Sequence, residues 1–218
     1  MYFDKLEMIR QIVYVLGVAL LVLILPLQVK AQRHYRPGYV ILNEGDTLYG
    51  RVKDRKTGSF TRIYKRVRFK DKGLFARKFG PGRIREYKAG ERLYESMWVS
   101  SQFPLLGGRM VSMAGKGKQQ FFRVVVKGKL NYYALESLDD DEFYFDIPYL
   151  KLEGRRDFVR ATQGIFGLKR RILVEYFADC PELQEAIAQK NVRTVFDIVH
   201  FYERHCQVGL YYNPDYQQ

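Results

Sequence analysis

The stretch of residues 165–206 constrains the fold most, because it carries regular helical spacing and holds both cysteines. Apolar side chains recur at helical spacing over residues 168–176, which predicts a first helix with one apolar side. Pro181 is tolerated in a first helical turn, where its missing N–H leaves no bond unmade, so a second helix is expected to begin there. Thr194 and Asp197 have the spacing of a capping box and predict the start of a third helix.

The two cysteines lie at the ends of the predicted second and third helices, Cys180 at the start of one and Cys206 at the end of the other. If these helices run antiparallel, the two sulfurs lie close together, and a disulfide would stabilise the fold by roughly 3–4 kcal/mol. We therefore predict a structural Cys180–Cys206 bond, conditional on export to an oxidising compartment. Two buried free thiols are the alternative expected in the cytosol. Two cysteines are too few for a zinc site.

Export is predicted from the N-terminal apolar run at residues 12–25. Val29 and Ala31 suit the −3 and −1 positions of signal peptidase, so we expect a signal peptide over residues 1–31 and a mature chain beginning at Gln32. The region before the run has little net positive charge, which leaves an uncleaved signal anchor, and membrane association through it, as the alternative. With no cysteine near the cut, the sequence does not fit a lipoprotein.

Alternating apolar and polar residues, separated by turn residues, fill most of the chain between the signal and the helices. The clearest hairpin joins residues 121–126 and 130–136 through a Lys-Gly-Lys turn. The pattern predicts an α+β fold, an antiparallel β-rich domain of hairpins followed by a short C-terminal helical bundle stapled by one disulfide. The predicted segments are a leader at 32–38, the β domain at 39–153, a linker at 154–164, the helical segment at 165–206 and a flexible tail at 207–218.

Positive charge is concentrated in one part of this β domain. The whole chain carries a formal net charge of +13, and residues 51–90 contain 15 Lys and Arg against three acids. Residues 62–70 alternate as a strand, which places five candidate polyanion-binding residues on one face: Arg62, Tyr64, Arg66, Arg68 and Lys70. Cations that alternate with an aromatic residue are typical of surfaces that bind phosphates or anionic sugars.

Three interpretations of this strand stay open. Its charges could bind an anionic envelope glycan such as lipopolysaccharide, with nucleic acid not favoured outside the cytoplasm. They could belong to an interface with another envelope protein. They could also be a solvated edge that prevents sheet-to-sheet aggregation, or a face covered by the acidic region at residues 136–157.

The sequence offers no recognisable catalytic motif. It lacks the nucleophile-elbow, zinc-protease, Walker and dinucleotide-binding patterns. The acidic turn at residues 139–142 lacks the spacing of a calcium loop, and the Gly-Pro-Gly at 80–82 has no helix after it to complete a phosphate site. We therefore expect a non-enzymatic protein with no catalytic residues, no metal and no cofactor.

Several short sequence motifs together resemble those of a protein family. The strongest are GDTL at residues 45–48 with Gly50 and DCP at 179–181 with Cys206, and FKDKG at 69–73 is a further one. In this order they resemble a family of uncharacterised exported proteins of Gram-negative cell envelopes, over most of residues 38–206. Glu203 and Arg204 depart from the family, which has an Asn region there. The resemblance implies export to the periplasm, the outer membrane or beyond, and the same order of hairpins and helices, but no activity.

Overall fold

A computed structural model describes residues 13–15, 35–55, 66–73, 75–101, 109–138, 144–164 and 167–206. It divides the chain into two compact units, Met1–Arg36 and Pro37–Gln218. In the first unit, residues 13–15 are helical and exposed. None of the helices among the described residues is both long enough and apolar enough to cross a membrane. The rest of the predicted signal peptide, the acidic turn 139–142 and the tail 207–218 lie outside the described residues.

The described part of the chain contains eleven strands and three C-terminal helices. The strands are β1 Arg36–Leu42, β2 Thr47–Lys53, β3 Val67–Lys70, β4 Arg77–Phe79, β5 Ile84–Ala89, β6 Arg92–Ser101, β7 Arg109–Val111, β8 Lys118–Val126, β9 Leu130–Leu138, β10 Tyr144–Leu152 and β11 Asp157–Arg160. The helices are α1 Arg170–Tyr176, α2 Pro181–Ala188 and α3 Val195–His205. The predicted β-rich fold with a helical C-terminal end is confirmed.

The strands form one sheet, in the order β4-β3-β2-β1-β5-β6-β7-β11-β10-β9-β8, and β8 also pairs with β6. That extra pairing sets Leu93 opposite Val124 and Val99 opposite Lys118. It closes β6, β7, β11, β10, β9 and β8 into a six-stranded antiparallel barrel. The predicted hairpins are present in part, β8 and β9 forming one of them. The barrel was not predicted, because alternation within a strand does not identify a partner that is distant in the sequence.

Strand β6 belongs to both parts of the sheet. Its first residues pair with β5, with Glu95 opposite Glu86, and its last residues, Ser100 and Ser101, pair with β7. The five strands β1 to β5 therefore continue outward from the barrel wall and end at β4, the edge strand.

Two predicted boundaries differ from the structure. The segment 154–164, predicted as a linker, contains β11, in which Phe158 is fully buried inside the barrel and Val159 is fully buried against the helices. A strand of four residues is too short to show a clear alternation, so the sequence pattern resembles that of a connection. Strand β1 begins at Arg36, inside the predicted leader 32–38.

Three buried clusters support these elements. One lies inside the barrel and is formed by residues from five of its strands: Met97, Phe122, Tyr133, Tyr149 and Phe158. A second packs the inner side of β1 to β5 against the barrel strands β6 and β8. The third packs the helices against the outer side of β9, β10 and β11. The barrel wall is thus covered by the N-terminal strands in one place and by the helices in another.

The helical end follows its local signals closely. Pro181 is the first residue of α2, and Thr194 caps α3 in a reciprocal capping box with Asp197. Cys180 immediately precedes α2 and Cys206 immediately follows α3, and the two form a disulfide with their Cα atoms 5.4 Å apart. The predicted disulfide is confirmed.

Candidate binding face and buried charged network

The outer strands of the sheet, β2, β3 and β4, contain six Lys and Arg and no Asp or Glu. In the register of these strands, Arg51 lies opposite Lys70, and Arg68 lies between Lys53 on one side and Lys78 on the other. Directly opposed residues point to the same side of a sheet. Like charges therefore face each other across two successive strand pairs.

Apolar residues alternate with these cations and point the other way. Val52, Val67 and Phe69 are almost completely buried against the inner cluster. Their burial orients the cations outward, since successive side chains in a strand point to opposite sides. We call the outward-pointing set the basic face, and it consists of Arg51, Lys53, Arg66, Arg68, Lys70 and Lys78.

Part of the basic face lacks counter-charges within the part of the chain that the structure describes, where Arg66, Arg68 and Lys78 form no ion pair. Arg77 behaves differently. It lies on the inner side of β4, with its guanidinium carbon 5.3 Å from the ring centre of Phe69 and 5.7 Å from that of Phe79. A cation over aromatic rings is held by the protein itself.

The acidic region 136–157 was one predicted cover for these charges. Among its described carboxylates, Glu136 pairs with Arg55, Asp146 with Arg123, and Asp157 with Arg155. These three acids are therefore engaged away from the basic face. The acids at 139–142 lie outside the described residues.

Three of the five predicted polyanion-binding residues, Arg66, Arg68 and Lys70, fall on the basic face, whereas Arg62 and Tyr64 lie outside the described residues. The sequence interpretation missed the cations that neighbouring strands contribute. One signal was present, because Arg51 and Lys53 alternate with apolar residues in the same way as residues 66–70. The pairing that brings them beside β3 is not a local property.

Two tyrosines border the basic face. Tyr49 on β2 is 74% exposed, and its ring meets that of Tyr39 edge-on with the ring centres 6.0 Å apart. The Tyr39 hydroxyl donates a 2.7 Å hydrogen bond to Glu86. Burial and this carboxylate raise the pKa of Tyr39 to about 12, so it stays a neutral donor at physiological pH. The basic face is therefore bordered by an acidic side chain, Glu86, on β5.

A different charged group lies buried where the chain leaves β2. The Arg55 guanidinium, 7% exposed, approaches within 2.6 Å of an oxygen of Glu136 on β9, whose side chain is 2% exposed. The second Glu136 oxygen is 3.6 Å from Nε of Arg123. Burial opposes the charge of Arg55, but Tyr87, Asp54 and Glu136 outweigh it and raise the pKa of the guanidinium.

Two stacked tyrosines complete this network. The rings of Tyr87 and Tyr94 are 4.6 Å apart and nearly parallel. The Tyr87 hydroxyl donates to Asp54 at 2.7 Å and accepts from Nε of Arg55 at 3.1 Å. The Tyr94 hydroxyl lies 2.8 Å from oxygens of both Asp54 and Glu136, so two carboxylates share its single hydrogen. Burial first, and then the two carboxylates, raise the pKa of Tyr94 well above its usual value.

This arrangement suits a structural connection better than chemistry. Its tyrosines remain protonated and its arginine remains charged, so neither is prepared to act as a base or nucleophile. The carboxylates are occupied by hydrogen bonds from the protein. We name this set, Asp54, Arg55, Tyr87, Tyr94 and Glu136, the buried network. It ties the end of β2 to strand β9 of the barrel.

A further carboxylate lies on the inner side of β6, two residues from the buried Met97. Glu95 is held by Lys127 at 2.5 Å and by the Tyr133 hydroxyl at 2.7 Å. Among the described residues, no group of three or more His, Cys, Asp or Glu side chains is placed to hold a metal ion.

No family model matches this chain, and no curated protein or solved structure shows significant similarity to it. The resemblance to exported envelope proteins therefore stays a prediction. The basic face and the buried network are the features of the described residues that bear on function.

Proposed function

We propose that this protein is a non-enzymatic, exported binding module of the cell envelope that holds an anionic glycan on its basic face. One observation carries the proposal: the strand register places Arg68 between Lys53 and Lys78. Like charges directly opposite each other destabilise a sheet, each pair by roughly 0.2–1 kcal/mol. An external polymer bearing phosphates or carboxylates, such as lipopolysaccharide, would supply a counter-charge to Arg68 and Lys78, which form no ion pair within the described residues.

Edge protection explains only part of this charge. A charged edge strand discourages pairing with another sheet, and β4 is the edge strand here. Arg51 and Lys53, however, lie on β2, two strands inside that edge. Arginine also presents a planar fork of donors that suits carboxylate and phosphate groups.

Export is part of the proposal. The apolar run at residues 12–25 supports a signal sequence, and the Cys180–Cys206 disulfide suits an oxidising compartment. We infer cleavage after Ala31, with an uncleaved anchor as the alternative. Mass spectrometry of protein from expressing cells decides between them, since cleavage leaves a chain beginning at Gln32 and an anchor leaves Met1 in place.

The binding proposal is tested with two matched triple variants of the full chain. The basic-face variant lacks three cations of that face and carries the substitutions Arg66→Ser, Arg68→Ser and Lys78→Ser. The control variant lacks three exposed cations of the helical end and carries Arg171→Ser, Arg193→Ser and Arg204→Ser. Affinity for heparin and for lipopolysaccharide is measured over a range of salt concentrations. Binding by charge releases counterions, so the first variant should bind at least roughly tenfold more weakly, with a salt slope smaller by about three.

The control variant has the same net charge and should bind like the wild type. Equal weakening of both variants would show that net charge alone attracts the polymer. Wild-type protein without salt-sensitive binding to either polymer would refute the proposal and leave the basic face as a solvated surface.

A further inference from the structure

The connection between β3 and β4 exposes an aromatic side chain without cover. Phe75 is 91% exposed, more than any other large hydrophobic side chain among the described residues. Scattered exposed apolar residues are common on proteins. This one differs because it lies in the turn of a hairpin whose second strand, β4, is the free edge of the sheet.

Cations flank Phe75 in the sequence of the hairpin. Lys70 and Lys72 precede it, and Arg77 and Lys78 follow it, with Asp71 as the one acid among residues 70–78. Lys70 and Lys78 are also members of the basic face, so the hairpin turn lies at the end of that face. Arg77 is stacked on the rings of Phe69 and Phe79, which fixes one cation at the base of the turn.

We propose that the β3–β4 hairpin docks the basic face on an anionic lipid bilayer, with Phe75 entering the boundary between headgroups and acyl chains. This inference rests on the proposed function and names a lipid surface as the source of the anions. Clustered cations are attracted to anionic headgroups, and aromatic rings favour the membrane interface. Stable attachment usually needs both kinds of signal, and the hairpin provides them within nine residues, 70–78.

Phe75 favours a bilayer surface over a dissolved polymer as the source of the anions at this end of the basic face. A dissolved anionic glycan offers phosphates or carboxylates to the cations but no apolar phase to an aromatic ring. A bilayer offers both, because its headgroups match the charge of Lys72 and Lys78 while the region beneath them accepts Phe75. The arrangement of charge around an apolar tip therefore complements a membrane surface.

The test measures co-sedimentation of the full chain with two kinds of vesicle, one of pure phosphatidylcholine and one of equal parts phosphatidylcholine and phosphatidylglycerol. The apolar run at residues 12–25 is present in every sample, and the pure phosphatidylcholine vesicles measure its contribution. Phe75→Ser removes the aromatic tip, Phe75→Trp keeps an interfacial aromatic, and Phe196→Ser removes a half-exposed aromatic from α3. Heparin retention of each variant is measured in parallel.

We expect Phe75→Ser to weaken binding to the anionic vesicles about tenfold, from the loss of one partly buried aromatic side chain, with heparin retention unchanged. Phe75→Trp and Phe196→Ser should bind the vesicles like the wild type. If Phe75→Ser binds both vesicles and heparin like the wild type, the membrane inference fails while the proposed function stands. Equal losses for vesicles and heparin would also overturn it, since Phe75 would then serve the polymer site. Wild-type protein that binds neither would overturn both.

Discussion

Arg55 and Arg68 show two opposite uses of the same residue type in one sheet. Arg55, just after β2, is 7% exposed and lies 2.6 Å from the buried carboxylate of Glu136. Arg68, on the neighbouring β3, is exposed and stands between Lys53 and Lys78. A buried charge must be paired and hydrogen-bonded, whereas an exposed charge is hydrated by water. The first arginine therefore holds the fold together, and the second remains available to an external anion.

The number of charges in a region therefore says little about the role of that region. Residues 51–90 are strongly basic throughout, yet they contribute both to the buried network and to the basic face. What separates the two is the partner: the buried network has carboxylates within hydrogen-bond distance, and the basic face has other cations opposite. Substitutions that remove a partner should therefore affect stability differently in the two regions.

The largest effect is expected from removing the carboxylate of the buried network. Glu136→Ala leaves the Arg55 guanidinium buried without its closest partner, and we expect a loss of about 3–5 kcal/mol in the free energy of unfolding. Urea denaturation measures it. Glu136→Gln is the matched control, because its amide can accept from Arg55 and donate to the Tyr94 hydroxyl, so its loss should be smaller. A loss below about 1 kcal/mol in the alanine variant would show that Arg55 finds water or another partner.

A somewhat smaller loss of stability is expected when the disulfide of the helical end is removed. Binding by the basic face should be unaffected. Cys180→Ser with Cys206→Ser opens a disulfide across a sequence separation of 26 residues, and the chain-entropy model gives about 3–4 kcal/mol. Affinity for heparin, measured below the unfolding transition, should match the wild type because the basic face lies on β2 to β4. Weaker heparin binding by the folded variant would show that the helical end contributes to the binding surface.

The helical end could be predicted from the sequence because its signals are local. Pro181 at a helix start, Thr194 with Asp197 three residues later, and cysteines at two helix ends each depend on neighbouring residues. Capping and first-turn proline are preferences of a single helical turn. The structure confirms the two helices and the disulfide that these signals predict.

The barrel and the buried network could not be predicted in this way. Closure of the barrel depends on the pairing of β6 with β8, which hydrophobic alternation does not identify. Arg55 and Glu136 are 81 residues apart and look like ordinary solvated charges in the sequence. The basic face could be predicted in part. Alternation placed Arg66, Arg68 and Lys70 on one side of a strand, but it did not show that cations of β2 and β4 lie beside them.

The smallest effect concerns the repulsion within the basic face, where Arg68 lies opposite two other cations and, among the described residues, forms no ion pair. Sodium chloride screens repulsion between exposed charges. The wild type should therefore become more stable as salt rises. In the triple variant with Arg66, Arg68 and Lys78→Ser, the free energy of unfolding should rise less with salt. The difference should be about 0.5–1 kcal/mol, because two opposed pairs are lost. Arg171, Arg193 and Arg204→Ser removes the same net charge from the helical end and should keep the wild-type dependence.

The decisive measurement is the free energy of unfolding of these three proteins, by urea denaturation, from low to high sodium chloride. If the basic-face cations repel one another, the free energy of unfolding rises with salt in the wild type and the control variant and rises less in the basic-face variant. A wild-type curve that falls with salt, and that becomes flat in the basic-face variant, would contradict the account. It would show that these cations are held by carboxylates of the protein itself, as Arg55 is held by Glu136.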